Sequence, residues 1–393
     1  MAKPTVGQAA GCGAAADGET CTLVLQGGGA LGAYQAGVYE AMAEAGLEPA
    51  WVAGTSIGAI NAAIIAGNPP ERRVERLREF WELVTSRLRF LSMDREFGND
   101  AREWVNESRA ALVSTFGVEG FFTPRLPAEW LQWPGTRSAL SFYDTSPLAK
   151  TLERLIDFDL INHHNPRHRV RLSVDAVDVA SGNMCHFDSA HPEAGGPIGP
   201  RHIMASGALP PGFPPIEING RHYWDGGLVS NTPLHYVLHQ PCGHDTLIVQ
   251  VDLFSARGAL PQNLNEVAER MKDIRYSSRT RANSDRVAHL QQLGAAARRL
   301  AAKLPPELRE DPDLAELLRL GTPAAVTIMH LIYRSAHYES QSKDYEFSRQ
   351  SVRERWRKGL EDMRASLAHP RCQDRSHAPG SLTVLDLASA GAR

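Results

Sequence analysis

TLVLQGGGALGAYQAG, residues 22–37, runs from apolar residues through a burst of glycine into a segment with helical spacing. The pattern predicts a buried strand over Cys21–Gln26, a glycine turn, and a helix to about Ala45 that Gly46 and Pro49 close. Gly27, Gly29 and Gly32 satisfy Gly-x-Gly-x-x-Gly at that strand-to-helix junction, the context a dinucleotide-binding fingerprint requires. The same turn could instead aim backbone N–H groups at the oxygen of a reacting ester, because a glycine-rich helix entry suits any anion. The glycines therefore leave two enzyme classes open.

The unit is repeated at once. Trp51–Gly54 reads as a second strand and Ile57–Ala66 as a helix that ends in Gly67-Asn68-Pro69-Pro70. Two strand–turn–helix units in succession imply a parallel sheet with crossover helices. At the second junction Gly54-Thr55-Ser56-Ile57-Gly58 matches Gly-x-Ser-x-Gly, in which small neighbours permit the tight turn that lifts a serine into the open. Ser56 is the candidate nucleophile, supported by Gly54 and Gly58.

Further along, helical spacing covers Glu71–Arg87, whereas residues 88–145 carry Gly, Pro and aromatics (FFTPRLPAEWLQWPG) without clear periodicity and are expected to form a cap or lid. A helix over Ser146–Asp157, a strand over His168–Val179, and a turn at Ser181-Gly182-Asn183 into a strand over Met184–Phe187 follow. Residues 206–227 are dense in Pro and Gly, and Asn231-Thr232-Pro233 should open a helix. A strand at Thr246–Leu253, a long helical stretch over 263–303, a strand at Ala325–Tyr333 and a helix from Asp344 to about Ala368 complete the chain. The domain reading is a disordered leader (1–20), one α/β domain (21–335), and a helical C-terminal extension with a flexible tail (336–393).

Composition narrows the class little. With 42% hydrophobic and 22% charged residues among 393, the chain is globular in type, and a net charge of -3 gives no reason to expect nucleic acid. Cys12, Cys21, Cys185, Cys242 and Cys372 are odd in number and scattered, which argues against a disulfide framework or a zinc site and for a reducing compartment. The N-terminus lacks an apolar signal core, and the run Trp51–Gly67 is short for a bilayer span of about 20 apolar residues, so a cytoplasmic protein is expected. His163, His164 and His168 lack ligand-like spacing, and no metal or cofactor is expected.

A nucleophilic serine needs a base. The usual histidine, oriented by a carboxylate, would have to come from His330 or His337, and neither sits in a recognisable motif. Asp225, in Trp224-Asp225-Gly226-Gly227, is the better candidate: Gly226 and Gly227 let the backbone turn, and Tyr223 and Trp224 would shield the carboxylate and raise its basicity. A plain Asp-Gly turn is the competing reading.

Gly27-Gly28-Gly29-Ala30-Leu31-Gly32, Gly54-Thr55-Ser56-Ile57-Gly58 and Asp225-Gly226-Gly227, with the approach Ala205-Ser206-Gly207-Ala208-Leu209-Pro210, resemble the motifs of the patatin-like phospholipases. That family consists of serine acyl hydrolases with a Ser-Asp dyad and no catalytic histidine. The resemblance implies a three-layer α/β/α sandwich around a mainly parallel sheet, with a C-terminal extension similar to that of a bacterial subgroup. It implies Ser56 as nucleophile, Asp225 as base, and backbone N–H groups of Gly28 and Gly29, with Gly27, as the oxyanion hole. Many members carry a basic residue where Leu31 stands, so only backbone donors transfer.

The expected activity is hydrolysis of lipid carboxylic esters, of phospholipase A or lysophospholipase type, through an acyl-enzyme. Other aliphatic esters or polyesters, a nicotinamide-dependent oxidoreductase with Glu44 or Glu48 as the ribose acid, and a non-catalytic lipid-binding scaffold are the alternatives. Residues 270–303 hold nine Lys or Arg against two acids, which would suit peripheral contact with anionic headgroups or simply a solvated face. Phe116, Phe121, Phe122, Trp130 and Trp133 would serve an acyl-binding wall or ordinary packing. The oligomeric state has no sequence signal.

Overall fold

The computed structural model describes residues 19–86, 99–127, 131–163, 170–240, 243–278, 280–318, 320, 324–334, 342–375 and 377–387. The opening stretch folds as its pattern predicts: β1 (Thr20–Leu25), a short 3₁₀ turn, and α1 (Ala33–Glu44), then β2 (Trp51–Thr55) and α2 (Ile57–Ala66). Every residue of α2 is buried, as a helix without a polar face must be. α3 (Pro70–Val84) starts on Pro70, whose fixed φ suits a first helical turn.

Residues 88–98 and 128–130 of the expected lid lie outside the described residues, but much of the rest is ordered into α4 (Asn99–Phe116) and a two-stranded ribbon of β3 (Thr123–Pro124) and β4 (Tyr143–Asp144). α4 was not expected, because its sequence is mostly polar; Ala110 and Val113 are buried among its described side chains. There follow α5 (Ser146–Leu155), α6 (Phe158–Asn162), β5 (Arg171–Asp178), β6 (Met184–Asp188) and α7 (Pro200–Ser206). The Pro- and Gly-dense segment then yields a hairpin, β7 (Ile216–Ile218) and β8 (Arg221–Asp225). Its turn is Asn219-Gly220 with φ of 51° and 77°, the Asn-Gly signal of a tight hairpin.

The chain continues through α8 (Leu234–His239), β9 (Thr246–Asp252), α9 (Leu264–Tyr276), α10 (Thr280–Ala301), α11 (Pro312–Leu318), β10 (Val326–Ile332), α12 (Arg349–Ala368), α13 (Pro370–Gln373) and β11 (Leu382–Leu385). The stretch expected as one helical run over 263–303 is thus divided after Tyr276. The C-terminal helix begins at Arg349 rather than Asp344, with Ser348 accepting the Ser351 N–H as its cap.

The sheet runs β11-β10-β9-β1-β2-β5-β8-β7, with β6 also on β5; the first six are parallel, and β6, β8 and β7 turn back antiparallel. Alternate residues face opposite sides, so β1 sends Leu23 and Leu25 into the larger core with α1, α2 and α3, and Val24 into a smaller core with α8. Helices thus cover both faces, and the fold is an α/β sandwich of three layers. The C-terminal region joins it directly: α12 lies against α1, and Gly37 and Gly359 let the two backbones approach, since a Cβ at either would stand within 2.0 Å of the other helix's carbonyl oxygen.

Candidate active site

The carboxyl ends of β1 and β2 carry the two glycine turns, which places both at one edge of the sheet. Ser56 follows β2 with φ 57° and ψ -123°, a conformation a side chain tolerates only when its surroundings enforce it. The enforcement is visible at Gly58, where a Cβ would stand 2.3 Å from the Leu25 carbonyl oxygen: only glycine lets the start of α2 lie against the end of β1. The Ser56 N–H donates to Ser206 Oγ at 2.9 Å, so α7 helps hold the turn. Ser56 also sits at the N-terminal, electropositive end of α2.

Asp225 arrives by a change of strand at one edge of β5. β2 pairs with β5 as far as Thr55 opposite Asp175, while β8 pairs with Ala176 through Asp225. Ala176 also pairs with Cys185 of β6, and a residue has two edges, so β8 takes the edge that β2 has just left. The end of β8 therefore meets the end of β2 head on. Gly226 makes this junction possible, since a Cβ there would stand 2.9 Å from the Asp175 carbonyl oxygen.

The Asp225 side chain is 2% exposed, accepts the Gly227 N–H at 2.7 Å and shares the cavity wall with Ser56. Burial pushes its carboxyl from 3.8 up to about 7, against the opposing pull of the Gly227 N–H and the Ser56 side chain. A carboxylate poised near neutrality beside a serine hydroxyl has the properties of a general base.

The glycine loop faces this pair. Gly29 has φ 54°, and a Cβ there would stand 2.3 Å from the Asp344 carbonyl oxygen. The N–H groups of Gly28 and Gly29 have no partner among the described residues, whereas the next, Ala30 N–H, donates to Asp344 at 2.8 Å. Gly27 corrects the expectation: its N–H donates to the Asn231 carbonyl at 3.1 Å, and one N–H carries one proton. Gly27 shapes the loop, and Gly28 and Gly29 are the donors that remain. Gly32 lies deeper, its carbonyl accepting Asn61 Nδ2 at 3.0 Å. Leu31 is fully buried, so the side chain at the departing position does not reach the site.

A cavity of about 300 Å³ joins Ser56, Asp225, Gly28 and Gly29 to a largely apolar chamber. Phe121 and Phe122 line it, while Phe116 and Trp133 are 58% and 83% exposed and do not. Several wall residues were not expected at the site: Asn231, Lys272, Tyr276, Asp344, Tyr345 and Phe347. Asn231 Nδ2 donates to the carbonyls of Gly27 and Tyr276, both at 3.0 Å. Gln26, buried at the end of β1, has Nε2 on Thr232 and the Tyr276 carbonyl, and Oε1 under the N–H groups of Leu253 and Phe254. Its four hydrogen bonds tie β1, β9 and α9 together beneath the site.

The histidine alternative fails on distance. His330 sits on β10 with Nε2 2.5 Å from Asp252, and three strand spacings of about 4.8 Å separate β10 from β2. His337 lies outside the described residues, as do His164 and His168, and among the described residues no cluster of His, Cys, Asp or Glu could hold a metal ion. The dinucleotide reading fails on position. Its acid belongs at the end of β2, which Ser56 occupies, whereas Glu44 is paired with Arg364 at 2.6 Å and Glu48 with the buried Arg73.

A family profile described as patatin-like phospholipase matches residues 23–238, more than half of the chain. This chain belongs to the patatin-like phospholipase family. A second profile, described as patatin phospholipase, matches residues 274–378, the region from the end of α9 through α13. Membership makes the protein a carboxylic ester hydrolase of lipids. No curated protein matches the chain. Among solved structures, VipD from Legionella pneumophila is similar, at 14% identity over 90% of this chain and 67% of that one, with a TM-score of 0.38.

Proposed function

We propose that this protein cleaves lipid carboxylic esters through a Ser56–Asp225 dyad and a covalent acyl-enzyme. The observation that carries the reading is the buried Asp225 carboxyl beside Ser56 in the wall of one apolar cavity. Asp225 takes the hydroxyl proton as Ser56 Oγ bonds to the ester carbonyl carbon, and the carbonyl electron pair moves onto oxygen. The N–H groups of Gly28 and Gly29, with the N-terminal end of α2, stabilise that oxyanion. Collapse expels the alkoxide, which leaves as the alcohol with the proton from Asp225. Water then gives a proton to Asp225 and its oxygen to the acyl carbon, and Ser56 recovers its proton as the fatty acid departs.

An apolar chamber ending at the dyad suits an acyl chain, which favours lipids over short esters; Phe121 and Phe122 of the 88–145 insert would form its wall. Residues 21–335 are proposed as the catalytic domain and 336–393 as an addition whose Asp344, Tyr345 and Phe347 complete the chamber. Cys21 and Cys185 are free thiols, in keeping with a cytoplasmic setting. Among the described residues no helix is long and apolar enough to cross a membrane.

The test is a panel of p-nitrophenyl esters and phospholipids run on wild type beside Ser56→Ala, with intact-mass analysis after a fluorophosphonate probe. Wild type should hydrolyse long-chain esters and gain one label, and Ser56→Ala should do neither. Labelling of Ser56→Ala to the same extent would refute the assignment of the nucleophile.

A further inference from the structure

α9 is exposed along its apolar side. Leu264, Val267, Met271 and Ile274 are 84%, 39%, 66% and 57% exposed, and at 100° per residue they fall within an arc of about 80°. Leu260, just before the helix, is 84% exposed. Such a stripe normally faces a core, yet no residue of α9 is buried.

The opposite side of the helix is occupied by the active site. Lys272 and Tyr276 line the cavity, and the Tyr276 carbonyl is held by Gln26 and Asn231. Lys272 pairs with Asp344 at 2.5 Å, and the acids Glu269 and Asp273 close on the buried Lys343 at 2.9 and 2.8 Å. Glu266 turns back onto the Gln262 N–H and Asn263 as part of the helix cap. All three acids of α9 are therefore engaged, and the exposed residues from 256 to 275 include two charges, Arg257 and Arg275. An apolar stripe flanked by cations alone complements a layer of anionic headgroups over acyl chains. Phe142 and Tyr345, 45% and 43% exposed, also line the cavity, and the Tyr345 ring lies 4.9 Å from Lys272 Nζ of α9.

We infer that α9 is the face by which the protein docks on an anionic lipid surface, with Leu264, Met271 and Ile274 entering the acyl region and Arg257 and Arg275 at the phosphates. The inference rests on the lipid-hydrolase reading and moves the contact expected for the cation-rich stretch 270–303 onto the apolar side of its first helix. Docking there would hold the cavity, which α9 walls on its other side, one helix diameter (~10 Å) from the surface.

The test uses the full chain with Leu264→Gln, Met271→Gln and Ile274→Gln combined, none of them in the cavity wall. Binding to vesicles of equal phosphatidylcholine and phosphatidylglycerol is measured by flotation in a Ser56→Ala background, so that it does not depend on turnover. The triple variant should bind at least tenfold more weakly, equal to about 1.4 kcal/mol, and Arg257→Gln with Arg275→Gln should weaken binding and flatten its salt dependence. In the active background the triple variant should keep its rate on a soluble short-chain ester and lose at least tenfold on the vesicles.

Equal vesicle binding by wild type and the triple variant overturns the inference. So does a wild type that is dimeric by light scattering and becomes monomeric in the variant without floating in either form, which would make a second copy the occupant. Wild type that floats through α9 yet hydrolyses no lipid would leave the docking face standing and remove the hydrolase reading instead.

Discussion

Asp225→Asn separates the two consequences of burying a base. Burial holds the Asp225 carboxyl at about 7 in the folded protein against 3.8 for an open chain, so the native state favours its neutral form. The associated stability is full below the unfolded value and is lost as pH rises through the folded one. Three units at 1.36 kcal/mol each put the loss at about 4 kcal/mol by the time Asp225 is ionised.

Asparagine has nearly the same shape, its oxygen can still accept the Gly227 N–H, and it never ionises. Asp225→Asn should therefore be more stable than wild type by about 2 kcal/mol near pH 5 and about 4 kcal/mol near pH 8. Contributions from every other titrating group cancel in the comparison. Denaturant melts of both proteins at the two pH values give the difference directly.

Activity should move the other way. Wild-type kcat/KM should rise with pH through a midpoint near 7 as the base ionises, and the variant should fall at least about 100-fold with no such rise. A variant no more stable than wild type at the higher pH would refute the burial argument. One that kept the pH rise would refute Asp225 as the titrating base.

Other perturbations address the walls of the site. Gly29→Ala must bear a positive φ, at about 1 to 2 kcal/mol, and a Cβ aimed at the Asp344 carbonyl. Esterase activity should fall at least tenfold and the melting temperature by several degrees; full activity would mean the loop does not hold the oxyanion donors. Lys343→Met should leave Glu269 and Asp273 facing each other without their cation and destabilise the protein by about 2 to 3 kcal/mol, read by urea unfolding. An unchanged midpoint would show that α9 is held by its other contacts.

Much of the fold was legible because it is written in near neighbours. β1, α1, β2 and α2 each follow from an apolar run, a glycine turn or a proline stop within a dozen residues. The hairpin before Asp225 was missed: Asn219-Gly220 signals it, but the segment reads only as dense in Pro and Gly. α4 was not legible either, because its sequence is polar for much of its length and lacks a clear apolar stripe. Residues 344–347 read as the first turn of a helix, yet here they run along the glycine loop. The Ala30 N–H, the Lys272 ammonium and the cavity claim them, and helical spacing carries no record of such partners.

The sequence by itself determined two strand–turn–helix units, the serine at the second turn and an aspartate with glycines behind it, since each depends on chain neighbours and on the space a side chain needs. Tertiary structure decided what those residues can do. The relay of β2 and β8 along one edge of β5 brings together residues 169 positions apart, and only the finished sheet fixes which strand ends meet. Burial then sets the basicity of Asp225, and packing decides that Gly27 has used its N–H while Gly28 and Gly29 have not. Charge state and donor availability are properties of surroundings, and the surroundings here are assembled from segments across the whole chain.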